Sequence, residues 1–165
     1  MDTLSVEPLV RALADALRAR GWRLASAESC TGGLLAAACT TVAGSSDWFE
    51  RGFVTYSNEA KSALLGVDPA LIATQGAVSE AVARAMAAGV LAHAPVPLAV
   101  AVTGIAGPGG AVPGKPVGTV WLAWGTAAAL HAERLQLDGD RDAVRSATVR
   151  IALERLLAAA GGTGS

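Results

Sequence analysis

Three short stretches of this 165-residue chain carry the residue types that hydrolytic chemistry needs. The first is Ala27-Glu28-Ser29-Cys30-Thr31-Gly32-Gly33. A strand-like run, Trp22 to Ser26, precedes it, and a helix-like run from Gly33 to Val42 follows. A strand-to-helix turn leaves the first N–H groups of the helix unpaired. Such groups hold an anion or stabilise an oxyanion. Ser29 there has the setting of a nucleophile, and Gly32 and Gly33 let another group approach the backbone closely. Cys30 is a second possible nucleophile, although neither His93 nor His131 is near it in sequence. Glu28 fits as an acid, a substrate contact or a structural acceptor. The same residue types also serve as plain N-caps and turns, so the segment needs support from elsewhere.

The second stretch, Thr55-Tyr56-Ser57-Asn58-Glu59-Ala60-Lys61, sits at another strand-to-helix switch. Arginine carries nearly all the positive charge, and Lys61 and Lys115 are the only lysines. Arginine stays protonated in proteins, whereas a buried lysine can lose its proton. A neutral Lys61 can deprotonate a serine hydroxyl, and Tyr56 can orient it or relay a proton. Ser57 lies four residues before Lys61, so it rivals Ser29 as the nucleophile. No Gly-x-Ser-x-Gly elbow and no Ser-x-x-Lys pair occurs at these serines, which disfavours an ordinary esterase or a penicillin-binding type of enzyme.

The third stretch runs from Thr103 to Lys115, with Gly104, Gly107, Gly109 and Gly110. It lacks the Gly-Lys-Ser/Thr ending of a phosphate loop and the spacing of a dinucleotide fingerprint. A glycine run still forms a backbone nest for an anion. Arg141 and Arg145, one turn apart at the start of the last predicted helix, have the spacing of a phosphate or carboxylate clamp.

The remaining elements must position these groups. Val6, Leu9, Val10, Leu13 and Leu17 predict an amphipathic helix stopped by Gly21. Phe49 to Ser57 reads as a strand, Asn58 to Leu65 as a helix, and Asp68-Pro69 as the opening of another helical turn. Ser79-Glu80 starts an alanine-rich helix to about Ala92. Leu98 to Val102 is a continuous apolar run, the pattern of a strand buried on both faces. Gly118 to Trp124 and Leu130 to Leu137 predict two further strands. Asp140 caps the last helix, which carries Val144, Ala147, Thr148 and Ile151 on one face. The order predicts an α/β fold with a mixed β-sheet layered with α-helices in three layers. One domain over residues 1–160 and a loose tail over 161–165 are expected.

Composition narrows the function. Apolar residues make up 52% and mean hydropathy is +0.43, with no run of the roughly 20 apolar residues that a membrane span requires. No secretory signal pattern is present, so a cytoplasmic location is expected. A net charge of −1 and 4% aromatic residues argue against a nucleic-acid binder. Cys30 and Cys39 form no Cys-x-x-Cys pair, which makes a disulfide framework or a zinc site improbable.

Five blocks now stand in order: Ser26 to Gly33, Val54 to Lys61, Gly76-Ala77-Val78-Ser79, Val102 to Gly110, and Lys115 to Val120. In content and spacing they closely resemble the CinA carboxy-terminal domain family, the nicotinamide mononucleotide deamidases, over about residues 4–157. The resemblance implies an amidohydrolase that converts nicotinamide mononucleotide to nicotinic acid mononucleotide and ammonia, in pyridine nucleotide salvage. It implies Ser29 as nucleophile, Lys61 as general base and Tyr56 beside them, with no metal or cofactor. Glu28, Cys30, Thr31, Gly32, Gly33, Thr103, Gly104, Gly107, Arg141 and Arg145 are the expected substrate-binding set. The apolar surplus and the habit of the family imply a homodimer. Many relatives carry a larger amino-terminal domain similar to molybdopterin-binding proteins; any activity of that domain is expected to be absent here. The rival readings are an amidase or esterase for another substrate, and a non-catalytic nucleotide-binding module.

Overall fold

Strands covered on both faces demand helices above and below them, and the chain supplies two such layers. The computed structural model describes residues 3–161; positions 162–165 of the expected tail lie outside the described residues. In chain order the elements are α1 (Thr3–Arg20), β1 (Leu24–Glu28), α2 (Leu34–Cys39), a single 3-10 turn (Ser45–Asp47), β2 (Phe49–Val54) and α3 (Asn58–Leu65). There follow α4 (Pro69–Gln75), α5 (Glu80–His93), β3 (Leu98–Gly104), β4 (Thr119–Thr126), β5 (Ala129–Gln136) and α6 (Arg141–Ala159). The sheet order is β2-β1-β3-β4-β5. β1 runs parallel to β2 and β3, while β4 and β5 continue antiparallel, so the sheet is mixed.

Alternation along the strands sorts the core into two clusters. Leu24, Leu98, Val100, Val102 and Leu122 pack with residues of α1, α2 and α6. Ala25, Ala27, Ala99, Ala101 and Ala123 pack with residues of α3, α4 and α5. The second face is paved with alanine, whose small volume lets the α5 layer lie close to the sheet. α3 and α5 also approach closely: a Cβ on Gly89 would stand 2.3 Å from the Leu65 carbonyl oxygen. Among the described residues no helix is long and apolar enough to cross a membrane.

The helix starts carry the expected chemistry. Ser57 accepts from Ala60 N–H (3.0 Å), Ser79 from Val82 N–H (3.3 Å), and Asp140 from Ala143 N–H (2.9 Å). On α6, Val144 and Thr148 are buried, while Ala147 and Ile151 are half-buried. Several boundaries differ from the sequence expectation. β1 begins at Leu24, because Trp22 N–H still bonds the Leu17 carbonyl and closes α1. α2 is shorter than predicted and ends at Cys39. β2 ends at Val54, where the chain leaves the sheet towards Lys61. β3 runs on to Gly104, paired with Val120, so Thr103 and Gly104 belong to a strand end rather than to the loop. Glu28 pairs with both Val54 and Val102, so β1 and β2 end level and β3 runs two residues past them to Gly104. Crevices at such carboxyl ends are where open α/β sheets bind ligands.

Candidate active site

Ser29 follows directly on the last residue of β1. Its N–H donates to the Val102 carbonyl (3.1 Å), which holds it at the sheet edge. The turn from Ser29 to Gly33 then closes on itself through Gly32 N–H to the Ser29 carbonyl and Leu34 N–H to the Thr31 carbonyl. Gly32 and Gly33 adopt φ of +58° and +109°, a region that favours glycine, and this permits the sharp entry into α2.

The Glu28 carboxylate lies under this turn, buried. Oε1 accepts from Thr31 Oγ1 (2.6 Å), Leu35 N–H (2.8 Å) and Gly33 N–H (3.3 Å), and Oε2 accepts from Ala36 N–H (3.0 Å). It therefore caps the start of α2 with a full negative charge, where the helix dipole favours one. Of the three roles open in the sequence, the structure gives Glu28 the structural one.

Lys61 reaches the same point from α3. Its Nζ donates to Ser29 Oγ at 3.0 Å and to the Thr55 carbonyl at 3.0 Å, with the Tyr56 and Ser57 carbonyls at 3.4 Å. The residue is only 1% exposed, and its immediate partners are all neutral. Burial pushes the ammonium below the ordinary lysine range. Ser57, the rival nucleophile, has its hydroxyl engaged as the N-cap of α3. Cys30 is buried as well, and burial raises its thiol to about 11, so it stays protonated at neutral pH.

A cavity of about 220 Å³ opens over Ser29 and Lys61. Of the residues singled out in the sequence, Ser29, Cys30, Tyr56, Lys61, Thr103, Gly104 and Arg141 line it. Glu28, Thr31, Gly32, Gly33, Gly107 and Arg145 do not. Arg145 instead donates to the carbonyls of Cys30 (Nε, 3.1 Å) and Thr31 (3.1 Å), gripping the turn from Ser29 to Gly33 from the side of α6. Arg141 donates to the Gly107 carbonyl (2.8 Å) and to the Tyr56 hydroxyl (3.0 Å). The two arginines thus hold separate main-chain segments, not one shared ligand site. Tyr56 meets Lys61 through its carbonyl, and its hydroxyl points to Arg141.

Sequence reasoning missed Asn58, Ala77, Val78 and Ala106, which complete the lining. Asn58 is the first residue of α3, one position after its cap. Ala77 and Val78 lie between α4 and α5, and Thr103 Oγ1 fixes them by donating to the Ala77 carbonyl (2.9 Å). Two short apolar residues carry no chemical signal of their own. A larger depression of about 760 Å³ between α3 and α4 contains neither Ser29 nor Lys61. Among the described residues no group of three or more His, Cys, Asp and Glu side chains is placed to hold a metal ion.

The model of the CinA C-terminal domain matches residues 6–160 of this chain. The chain belongs to the CinA C-terminal domain family. Nicotinamide-nucleotide amidohydrolase PncC of Pseudomonas putida is 51% identical over 157 residues, covering 95% of this chain and 97% of that protein. Nicotinamide-nucleotide amidohydrolase PncC of Escherichia coli K12 is 53% identical over 142 residues, 86% of each chain. Among solved structures, the competence/damage inducible protein CihA of Agrobacterium tumefaciens superposes with a TM-score of 0.90 at 46% identity, over 93% of this chain and 94% of that one. The three-layer mixed sheet described above is therefore that of CinA superfamily structures. Four of the five sequence blocks that pointed to the family contribute residues to the cavity lining; the block from Lys115 to Val120 does not.

Proposed function

We propose that this CinA-family chain is a serine–lysine amidohydrolase of nicotinamide nucleotides. It converts nicotinamide mononucleotide to nicotinic acid mononucleotide and ammonia, returning pyridine nucleotide to NAD synthesis. The observation that carries the reading is the 3.0 Å contact between Lys61 Nζ and Ser29 Oγ, made by a lysine with no acidic partner at hydrogen-bond distance. The names of the relatives supply the substrate class.

In this mechanism neutral Lys61 takes the Ser29 proton as Oγ attacks the carboxamide carbon. The carbonyl oxygen becomes an oxyanion that needs preorganised N–H donors. Within the turn, Gly32, Gly33 and Leu34 have spent theirs, which leaves Cys30 and Thr31 as candidates on this side. On the other side the alternation of β3 turns Gly104 N–H away from β4 and towards the end of β1, because Ile105 N–H bonds Thr119 across the β4 edge. Protonated Lys61 gives its proton to the departing nitrogen, and ammonia leaves. Water then attacks the acyl ester, Lys61 takes its proton, and Ser29 regains one on release of the acid. A homodimer is part of the proposal, tested by light scattering, which should return the mass of two chains.

The deciding assay is ammonia release from nicotinamide mononucleotide in metal-free buffer by the wild type, Ser29→Ala and Lys61→Arg. Ser29→Ala should abolish turnover. In Lys61→Arg the guanidinium stays protonated and cannot act as a base at neutral pH, so turnover should fall about 10²- to 10⁴-fold. Full turnover in either variant would sink the dyad. A wild type that hydrolyses amides lacking the phosphate equally well would move the substrate to another class.

A further inference from the structure

Tyr56 is the one tyrosine in the chain, in a sequence with only 4% aromatic residues. It is 61% exposed, yet it lines the cavity that contains Ser29 and Lys61. Its hydroxyl is bound to Arg141, which is itself tied to the Gly107 carbonyl, so the ring is held at its far end by a group anchored on another segment. Neither Ser29 nor Lys61 reaches that hydroxyl, so no direct hydrogen bond connects it to the dyad for proton relay. An exposed aromatic ring with a fixed orientation beside a reactive centre is surface prepared for a ligand.

The proposed substrate brings a cationic ring to a cavity whose ionisable side chains include Lys61 and Arg141 but no acid, and this limits how the ring can be held. Among the described residues lining the cavity there is no aspartate or glutamate, and Tyr56 is the single aromatic. Lys61 is buried among neutral partners. A flat, positively charged ring entering this space finds no carboxylate to pair with. The face of an aromatic ring is then the group that can stabilise it, through the ring quadrupole. Arg141 does not compete for that face, because a donor bonded to the phenol oxygen lies at the ring edge.

We propose that the Tyr56 ring is the face on which the cationic pyridinium ring of the substrate rests, and that this contact sets both the selectivity for an oxidised pyridine nucleotide and the placement of its carboxamide over Ser29. The inference rests on the nicotinamide nucleotide reading and adds the residue that recognises the charge of the ring. Tyr56 is a specificity-determining residue in this account, and its hydroxyl serves to orient the ring through Arg141.

The test compares two ligands of nearly the same shape: nicotinamide mononucleotide, whose ring is a cation, and its reduced dihydropyridine form, whose ring is neutral. Affinities are measured by calorimetry in a Ser29→Ala background, so that no ligand is consumed, and again with Tyr56→Phe or Tyr56→Leu added. The Ser29→Ala protein should bind the oxidised form roughly two- to thirty-fold more tightly, the range of a cation–π contact. Tyr56→Phe should keep that preference, since it keeps the ring. Tyr56→Leu should bring the ratio close to one; at 61% exposure the side chain contributes little to the core, and a thermal melt checks that the fold is intact. A preference that survives in Tyr56→Leu, or that Tyr56→Phe loses as completely as Tyr56→Leu, overturns the proposal. Equal binding of the two forms by Ser29→Ala overturns the ring contact alone. Binding of neither form overturns the substrate reading and the contact with it.

Discussion

Replacing Glu28 with Gln tests how the nucleophile turn is built. The amide is almost the same shape, so no cavity forms, and the change falls on charge and hydrogen bonding alone. If the amide oxygen takes the place of Oε1, it keeps Thr31, Gly33 and Leu35, and the NH₂ group faces Ala36 N–H, donor against donor. The opposite orientation would lose the Gly33 and Leu35 bonds, keeping Ala36 and turning the Thr31 hydroxyl into an acceptor. In the better case one charge-assisted bond is lost, worth about 1.5–3 kcal/mol, and three others weaken from charged to neutral by about 1 kcal/mol each. Relief from burying a carboxylate offsets part of this, by an amount on the order of several kcal/mol before pairing. The net expected loss is about 2–3 kcal/mol, or roughly 4–12 °C in Tm for a chain of this length. Thermal and urea melts read it directly, with the slope against urea unchanged. Turnover should fall as well, because the turn that aims Ser29 at Lys61 loosens. A variant as stable as the wild type but with a raised KM would refute the reasoning, and would make Glu28 a substrate contact after all.

Activity should rise with pH and then level off, because the proposed mechanism needs Lys61 without its proton. Burial lowers its pKa, so the rise should be complete at a lower pH than for an ordinary lysine near 10.5; a kcat/KM profile that still climbs through that value would contradict a preset base. Cys30 should resist alkylation at pH 7–8, since its thiol is pushed up to about 11 and is 6% exposed; rapid labelling seen by mass spectrometry would contradict this. Gly89→Ala drives a methyl group to 2.3 Å from the Leu65 carbonyl oxygen, so α3 must move relative to α5. That change should cost about 1–3 kcal/mol in a denaturant melt and reduce turnover with it, because α3 carries Lys61.

Much of this arrangement was legible in the sequence because its signals are local. The Asp140 cap and the helix start at Ser79 fell where the sequence placed them, since an N-cap is decided by residues within one turn. The doubly buried β3 announced itself by an unbroken apolar run, and α/β layering followed from the order of elements. The pairing of Lys61 with Ser29 spans 32 positions, and spacing alone left Ser57 equally eligible; the structure separates the two because one hydroxyl caps a helix and the other faces Nζ. Arg141 and Arg145 looked like a ligand clamp because carbonyl acceptors are invisible in a sequence. Glu28 looked ambiguous for the same reason: three of its four donors are main-chain N–H groups. Ala77 and Val78 carry no chemistry in their side chains, so only their position after α4 brings them into the cavity.

Lys61 is steadied by the carbonyls of Thr55, Tyr56 and Ser57, and the turn from Ser29 to Gly33 by Arg145 through the carbonyls of Cys30 and Thr31. A carbonyl is present whatever side chain its residue carries. The reacting pair is therefore supported largely by atoms that sequence drift cannot remove while the fold survives. The rest of the cavity lining is different: Asn58, Ala77 and Val78 are at least partly exposed, whereas Ala106 is buried with Val120, Leu135 and Val144. Tyr56 belongs to both groups, with its carbonyl on Lys61 and its side chain lining the cavity. On the proposed function, a library confined to Asn58, Ala77 and Val78 should change which amides are accepted while leaving the contact between Lys61 and Ser29 assembled.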